Sequence, residues 1–277
     1  ADGKIMSAVT LPTAPYHFRW VDLNNKTTLL NTGSWTSPAS LFDSNGNVKW
    51  SYSTDGNIDD TCACYNLLGD NKTEFLVGFN GGGGIHLLDA NGRKVWDVSE
   101  KNVWHIEAQD LNEDGKIKIV HSNADGKLVV RSPEGNVVVI YNPPVFVTDF
   151  TLTDWINENG PTAIVFPDQT KYMFWSISKS APVTEWESGF KLKTGKTRAQ
   201  WVVWNPDSGK SLALLTTYVL SHEALLTIYS ETGEMQYQEV LPEGCEGLGV
   251  ADGPTPGSHV LLLGMEDKVF EYQKPIS

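Results

Sequence analysis

Trp104-His-Ile-Glu-Ala-Gln-Asp110 is followed by Leu-Asn-Glu-Asp-Gly115, Lys-Ile-Lys-Ile-Val120, Lys127-Leu-Val-Val-Arg131, Ser-Pro-Glu-Gly135 and Asn-Val-Val-Val-Ile-Tyr141. Each apolar run is short, rich in β-branched residues and bounded by Gly, Asn or Asp, which is the pattern of β-strands joined by tight turns. The unit is therefore four consecutive strands. It recurs along the chain. Tyr16–Asp22 opens one copy that closes, after Asn45-Gly46, on Val48-Lys-Trp50. Cys62–Asn66 opens the next, which closes after Asn91-Gly92 on Lys94-Val-Trp96. Later copies begin near Phe150, Gln200 and Gly247.

Aligning the first strands places Asp22, Asn66, Asp110, Trp155, Trp204 and Ala251 in register, at spacings of 44, 44, 45, 49 and 47 residues. Six such units predict an all-β fold, a six-bladed β-propeller of four-stranded antiparallel blades forming one domain over residues 1–277. The last unit offers three strands. The orphan run Lys4-Ile-Met-Ser-Ala-Val-Thr10 is expected to supply its outer strand and close the ring, removing the exposed edges of an open array.

The repeat resembles the FG-GAP/VCBS and PQQ-like propeller families, through Asp110-Leu-Asn-Glu-Asp-Gly115 with Ile119-Val120 and through Leu88-Asp-Ala-Asn-Gly92 with Val95-Trp96. The resemblance covers nearly the whole chain as a blade pattern. It implies a secreted, periplasmic or cell-surface protein of the kinds found in those families, among them lectins, adhesion receptors and polysaccharide lyases. Fold alone does not give function.

The 277 residues hold 21 Lys plus Arg and 34 Asp plus Glu, a net charge of −13. A field of that sign repels phosphate backbones and anionic membrane surfaces, so no nucleic acid is expected as partner. No apolar run reaches the roughly 20 residues of a membrane-spanning helix, and a monomer is expected.

Two sites are predicted. Asp110, Asn112 and Asp114 alternate oxygen ligands ahead of Gly115, the opening of a Ca2+ loop. The ninth position is Lys118, so an Asx turn explains the same residues. The second site is the central mouth, where the first strands begin. Counting back six and five places from the register gives Tyr16, His17, Asp60, Trp104, His105, Asp149 and Arg198, with Thr61, Phe150, Ala199, Cys245 and Glu246, a set unusually polar and aromatic where core filling would prefer Val, Ile or Ala. Glu107, Trp35, Lys196 and His222 extend the rim. Such groups suit a small polar ligand, notably a sugar.

The mouth residues differ from blade to blade, which predicts one asymmetric site for a glycan, with Arg198 and Lys196 toward a carboxylate. The leading reading is a carbohydrate-interacting propeller. One alternative is a polysaccharide lyase with Tyr16, His17 or His105 as base and Arg198 neutralising a uronate. Others are a glycoside hydrolase using Asp60, Glu107 and Asp149, and a protein-binding scaffold. Cys62, Cys64 and Cys245 lack zinc-like spacing and are expected as buried free thiols.

Overall fold

The hairpins that close the blades explain how the elements form. At Asp43-Ser-Asn-Gly46 the amide of Gly46 donates to the Asp43 carbonyl at 2.9 Å, and the Asp43 amide to the Asn47 carbonyl at 2.9 Å. The Asp43 carboxylate accepts the amides of Asn45 and Asn47. Gly46 has φ +82°, which a side chain would strain. Asp89–Gly92, Ser132–Gly135 and Ser230–Gly233 repeat the same backbone bonds. A type I turn followed by a left-handed glycine reverses the chain into an antiparallel partner.

The computed structural model describes residues 17–23, 26–32, 36–111, 114–154, 162–168, 171–176, 181–188, 195–207, 209–218, 223–241, 245, 247–264 and 269–272. Two compact units divide the chain at Thr148 and Asp149. The first holds three four-stranded antiparallel sheets. They are β1 (His17–Asp22), β2 (Thr27–Thr32), β3 (Ala39–Phe42) and β4 (Val48–Tyr52); then β5 (Asn57–Tyr65), β6 (Thr73–Asn80), β7 (Ile85–Leu88) and β8 (Lys94–Val98); then β9 (Val103–Asp110), β10 (Ile117–Asn123), β11 (Leu128–Arg131) and β12 (Val137–Tyr141). The second unit holds β13 (Thr151–Asp154), β14 (Thr162–Asp168), β15 (Lys171–Ser176) and β16 (Ala181–Glu187), then β17 (Gly195–Val202), β18 (Ser211–Tyr218), β19 (Ala224–Ser230) and β20 (Met235–Leu241). A last sheet has three described strands, β21 (Gly247–Asp252), β22 (His259–Gly264) and β23 (Val269–Tyr272).

Among the described residues the expectation of six four-stranded blades is met by five, with a sixth sheet of three described strands. Residues 4–10, assigned above to its missing strand, lie outside the described residues.

Both faces of β3, β6, β7, β11, β18 and β19 are buried along almost their whole length, so these strands read as continuous apolar runs. Successive side chains point to opposite faces. Phe75, Val77 and Phe79 of β6 pack with Leu30, Leu41 and Trp50 of the first blade. Leu76 packs with Val103, Ile106 and Ile119 of the third. In the second unit Leu212 and Leu214 face Tyr172, Phe174 and Trp186, while Ala213 and Leu215 face Leu261 and Leu263.

Two devices repeat. In all five complete blades one residue near the start of the fourth strand has no counterpart on the third: Lys49, Val95, Val138, Val183 and Gln236. Such bulges twist an edge strand and discourage pairing with other chains. The second device seats the turn glycine of one blade on a tryptophan of the blade before. A Cβ on Gly92 would lie 2.7 Å from the Trp50 ring, and one on Gly135 3.3 Å from Trp96. Gly233 meets Trp186 in the same way. Trp96 also donates its Nε1–H to the Pro133 carbonyl at 3.1 Å.

Candidate functional site

The polar residues of the inner strands are joined across blades. On β9, His105 and Glu107 are two apart and so share a face; His105 Nε2 lies 3.0 Å from Glu107 Oε1. His105 Nδ1 lies 2.6 Å from Oδ2 of Asp60 on β5. The same carboxylate oxygen accepts the Ile106 amide at 3.1 Å and lies 3.4 Å from a guanidinium nitrogen of Arg19 on β1. Arg19 Nε–H donates to the Thr61 carbonyl at 2.7 Å. Asp60 is 2% exposed and His105 5%, whereas Arg19 and Glu107 reach the surface in part. A carboxylate thus stands at each ring nitrogen of His105. Arg19, Asp60, His105 and Glu107 together tie three blades.

Asp149 is used alike in the second unit. Its Oδ2 accepts the Thr197 amide at 3.2 Å and lies 3.4 Å from Arg198 of β17. Arg198 also donates to the Thr197 carbonyl at 3.1 Å. Of the remaining mouth residues, Trp104 is half-buried with its Nε1 hydrogen-bonded to nothing among the described residues. The backbones of His17 and Lys196 lie in β1 and β17, but their side chains are outside the described residues, as are Tyr16, Trp35 and His222.

The strand pairing corrects the register. The inner strands end on Asp22, Tyr65, Asp110, Asp154, Val202 and Asp252, paired with Thr27, Thr73, Ile117, Thr162, Ser211 and His259. The alignment was therefore one residue late in blades two and four, two late in blade five and one early in blade six. A shift between Ile58 and Asp60 in β5 displaces blade two further. Asp60, Asp149 and Arg198 consequently do not share the position of Trp104.

In the Asp110 loop, Asp110 Oδ2 accepts the Gly115 amide at 2.7 Å, and Asp114 Oδ1 accepts the Lys116 amide two residues on at 2.8 Å, the bond of an Asx turn. Asn112 lies outside the described residues. Among the described residues no group of three or more His, Cys, Asp or Glu side chains is arranged to hold a metal. All three cysteines are free and buried. Burial pushes the Cys62 thiol up to about 11 and the Cys64 thiol to about 12, so neither supplies a thiolate near neutrality. No helix among the described residues is long and apolar enough to cross a membrane.

Two features escaped sequence reasoning. Arg19 has no counterpart signal, because one basic residue in an inner strand reads as ordinary surface. His121, the twelfth residue counted from Asp110, carries no other signal in the sequence, yet it is fully buried against Arg131. Comparing the same position blade by blade exposes it, since the others are mostly apolar.

No family model matches the chain, and no curated protein matches it. Among solved structures it is similar to BBS1N in complex with ARL6DN. One such structure, soaked with lead, has a TM-score of 0.63 and 13% identity, covering 93% of this chain and 76% of that one. Another, soaked with mercury, has a TM-score of 0.65 and 10% identity, covering 95% and 80%. At these identities the likeness establishes the fold: an all-β propeller of four-stranded antiparallel blades.

Proposed function

We propose that the protein is a binding propeller that holds a protein partner and makes or breaks no bonds itself. The observation that carries this is the engagement of Asp60, whose Oδ2 meets Arg19, His105 and the Ile106 amide while the residue is almost fully buried. A general acid or base must exchange its proton with substrate, and this carboxylate is enclosed by its own chain. Asp149 is held in the same manner. The chains of similar fold were solved in complex with ARL6DN, which supports a protein as the class of partner.

A glycan is the second reading. It is supported by the half-buried Trp104 and the partly exposed Glu107 on the same inner strand, β9, an aromatic ring and an acceptor of the kinds a sugar uses.

This reading includes a propeller of six blades, with residues 4–10 as the fourth strand of the last sheet. The third strands of the other blades are almost wholly buried, whereas β23 is exposed along Val269, Phe270 and Glu271. A further strand would cover it.

The test is direct. Crosslinking in the native source identifies partners, and binding is then measured with the purified partner. In parallel the chain is incubated with neutral and uronate-containing oligosaccharides while ultraviolet absorbance and reducing ends are followed. A saturable protein complex without product formation is expected. Unsaturated uronate or new reducing ends, lost in Glu107→Gln, would overturn the proposal in favour of an enzyme.

A further inference from the structure

Blade three contains a buried polar pair, His121 and Arg131, where the other blades contain mostly apolar residues. Arg131 ends β11 opposite Val137, the position held by Phe42, Leu88, Trp175 and Tyr229 in blades one, two, four and five. Counting along the neighbouring strands, His121 corresponds to Asn31, Val77, Phe166 and Leu214. Replacing a buried ionic cluster by packed apolar side chains is often neutral or stabilising. Blade two demonstrates the apolar version with Val77 and Leu88, both fully buried. The polar version therefore has no evident advantage in packing.

Arg131 uses its whole guanidinium. Its Nε–H donates to His121 Nε2 at 2.9 Å, one terminal nitrogen to the Gly135 carbonyl at 2.8 Å, and the other to Glu100 Oε2 at 2.8 Å. These contacts lead to the boundary with blade two. Gly135 and Pro133 belong to the turn that seats on Trp96, and Glu100 lies in the connection from β8 to β9. His121 is the acceptor that this arrangement requires. Its Nε2 must lack a proton, leaving the hydrogen on Nδ1, 3.3 Å from the Ser122 carbonyl.

We propose that His121, Arg131 and Glu100 form an acid-responsive lock between blades two and three, closed while His121 is neutral and released when it takes a proton. Protonation converts the acceptor into a second donor facing the Arg131 Nε–H and sets two buried cations against each other. Arg131 then leaves His121, and the turn at 132–136 and the connection at Glu100 lose their shared anchor. The charged groups acting on His121 are Arg131 from β11 and Glu100 from the β8–β9 connection; its partner on β9 is the uncharged Ile106. Burial first, and then Arg131, lower the imidazole to about 4, against an ordinary value of 6.5. The unfolded chain takes its proton first, so the lock's stabilisation is complete above about pH 6.5 and is lost as pH falls toward about 4.

Hydrogen exchange followed residue by residue at about pH 7 and about pH 4, corrected for intrinsic rates, tests the lock. In the wild-type chain, protection of residues 96–98 and 132–136 should fall at least about tenfold more than that of β18 and β19. The double variant His121→Val, Arg131→Leu, which copies blade two, should lose this difference. A uniform loss across the wild-type chain, or the same local loss in the double variant, would overturn the proposal. Should the double variant fail to fold, His121→Gln keeps an acceptor for Arg131 without a titrating proton and serves the same comparison. Partner binding is not read in this experiment, so its outcome is independent of the proposed function.

Discussion

Gly92 carries a constraint from two directions. Its φ of +75° lies in the left-handed region, and its α-carbon faces the Trp50 ring. Gly92→Ala should cost about 2–3 kcal/mol, part from the backbone and part from a methyl group pressed on the indole. Urea denaturation measures it, and Gly115→Ala, where nothing stands within 4 Å at a φ of +77°, isolates the backbone share. Equal costs would mean that the tryptophan seat contributes nothing. Glu74 makes a different demand. Burial raises its carboxyl to about 7, with Asp70 adding to the shift, while the Leu67 amide donates to it at 2.9 Å. The raised value favours the protonated form in the folded chain, so its contribution is full below about pH 4.5 and lost as pH rises through about 7. Glu74→Gln should therefore stabilise the protein by about 1–2 kcal/mol at about pH 8, a gap that closes toward about pH 4.5. Melting curves across that range decide it.

The elements were legible because turn chemistry is local. Asn45-Gly46, Asn91-Gly92, Gly135 and Gly233 marked the hairpins, and the apolar runs between them became strands with the expected antiparallel pairing. What was not legible was register. The shift between Ile58 and Asp60 and the bulges at Lys49, Val95, Val138, Val183 and Gln236 each insert a residue that is itself neither Gly nor Pro, so no breaker at that position marks it in the sequence. They answer to strand twist and to the adjacent blade, and neither is written in a window of ten residues. The candidate site suffered directly: a two-residue slip put Arg198 beside Trp104 on paper. The bulge also makes a prediction. Val138 is unopposed on β11 and 56% exposed, so Val138→Lys should change stability by less than about 0.5 kcal/mol. Val130→Lys, on the same pair of strands but 2% exposed, should unfold the blade. Denaturation of the two variants side by side tests the assignment, and comparable losses would place Val138 in the core.

At the scale of the molecule, the repeat arithmetic identified the propeller. Sequence reasoning placed Asp60, His105 and Glu107 in one group, and the structure joins them by contacts that cross from β5 to β9. Ligand contacts and ties between blades demand the same residue types, which is why sequence alone does not separate them. One architectural expectation remains to be tested by removal. The sixth sheet has three described strands, and its third, β23, leaves Val269 66% and Phe270 45% exposed where the corresponding strands elsewhere are buried. An uncovered apolar strand is an edge that invites aggregation. If residues 4–10 pair with it, deleting residues 1–10 should lower the melting temperature by about 5–10 °C, on the order of 2–3 kcal/mol for a chain of this size. It should also make the 264–272 segment the first site of proteolysis, and it should leave Trp50 and Trp96 fluorescence unchanged because their blades are complete. A truncated chain that melts with the full one would show that β23 serves as the outer strand itself, and the fourth strand would then have to be withdrawn from the last blade.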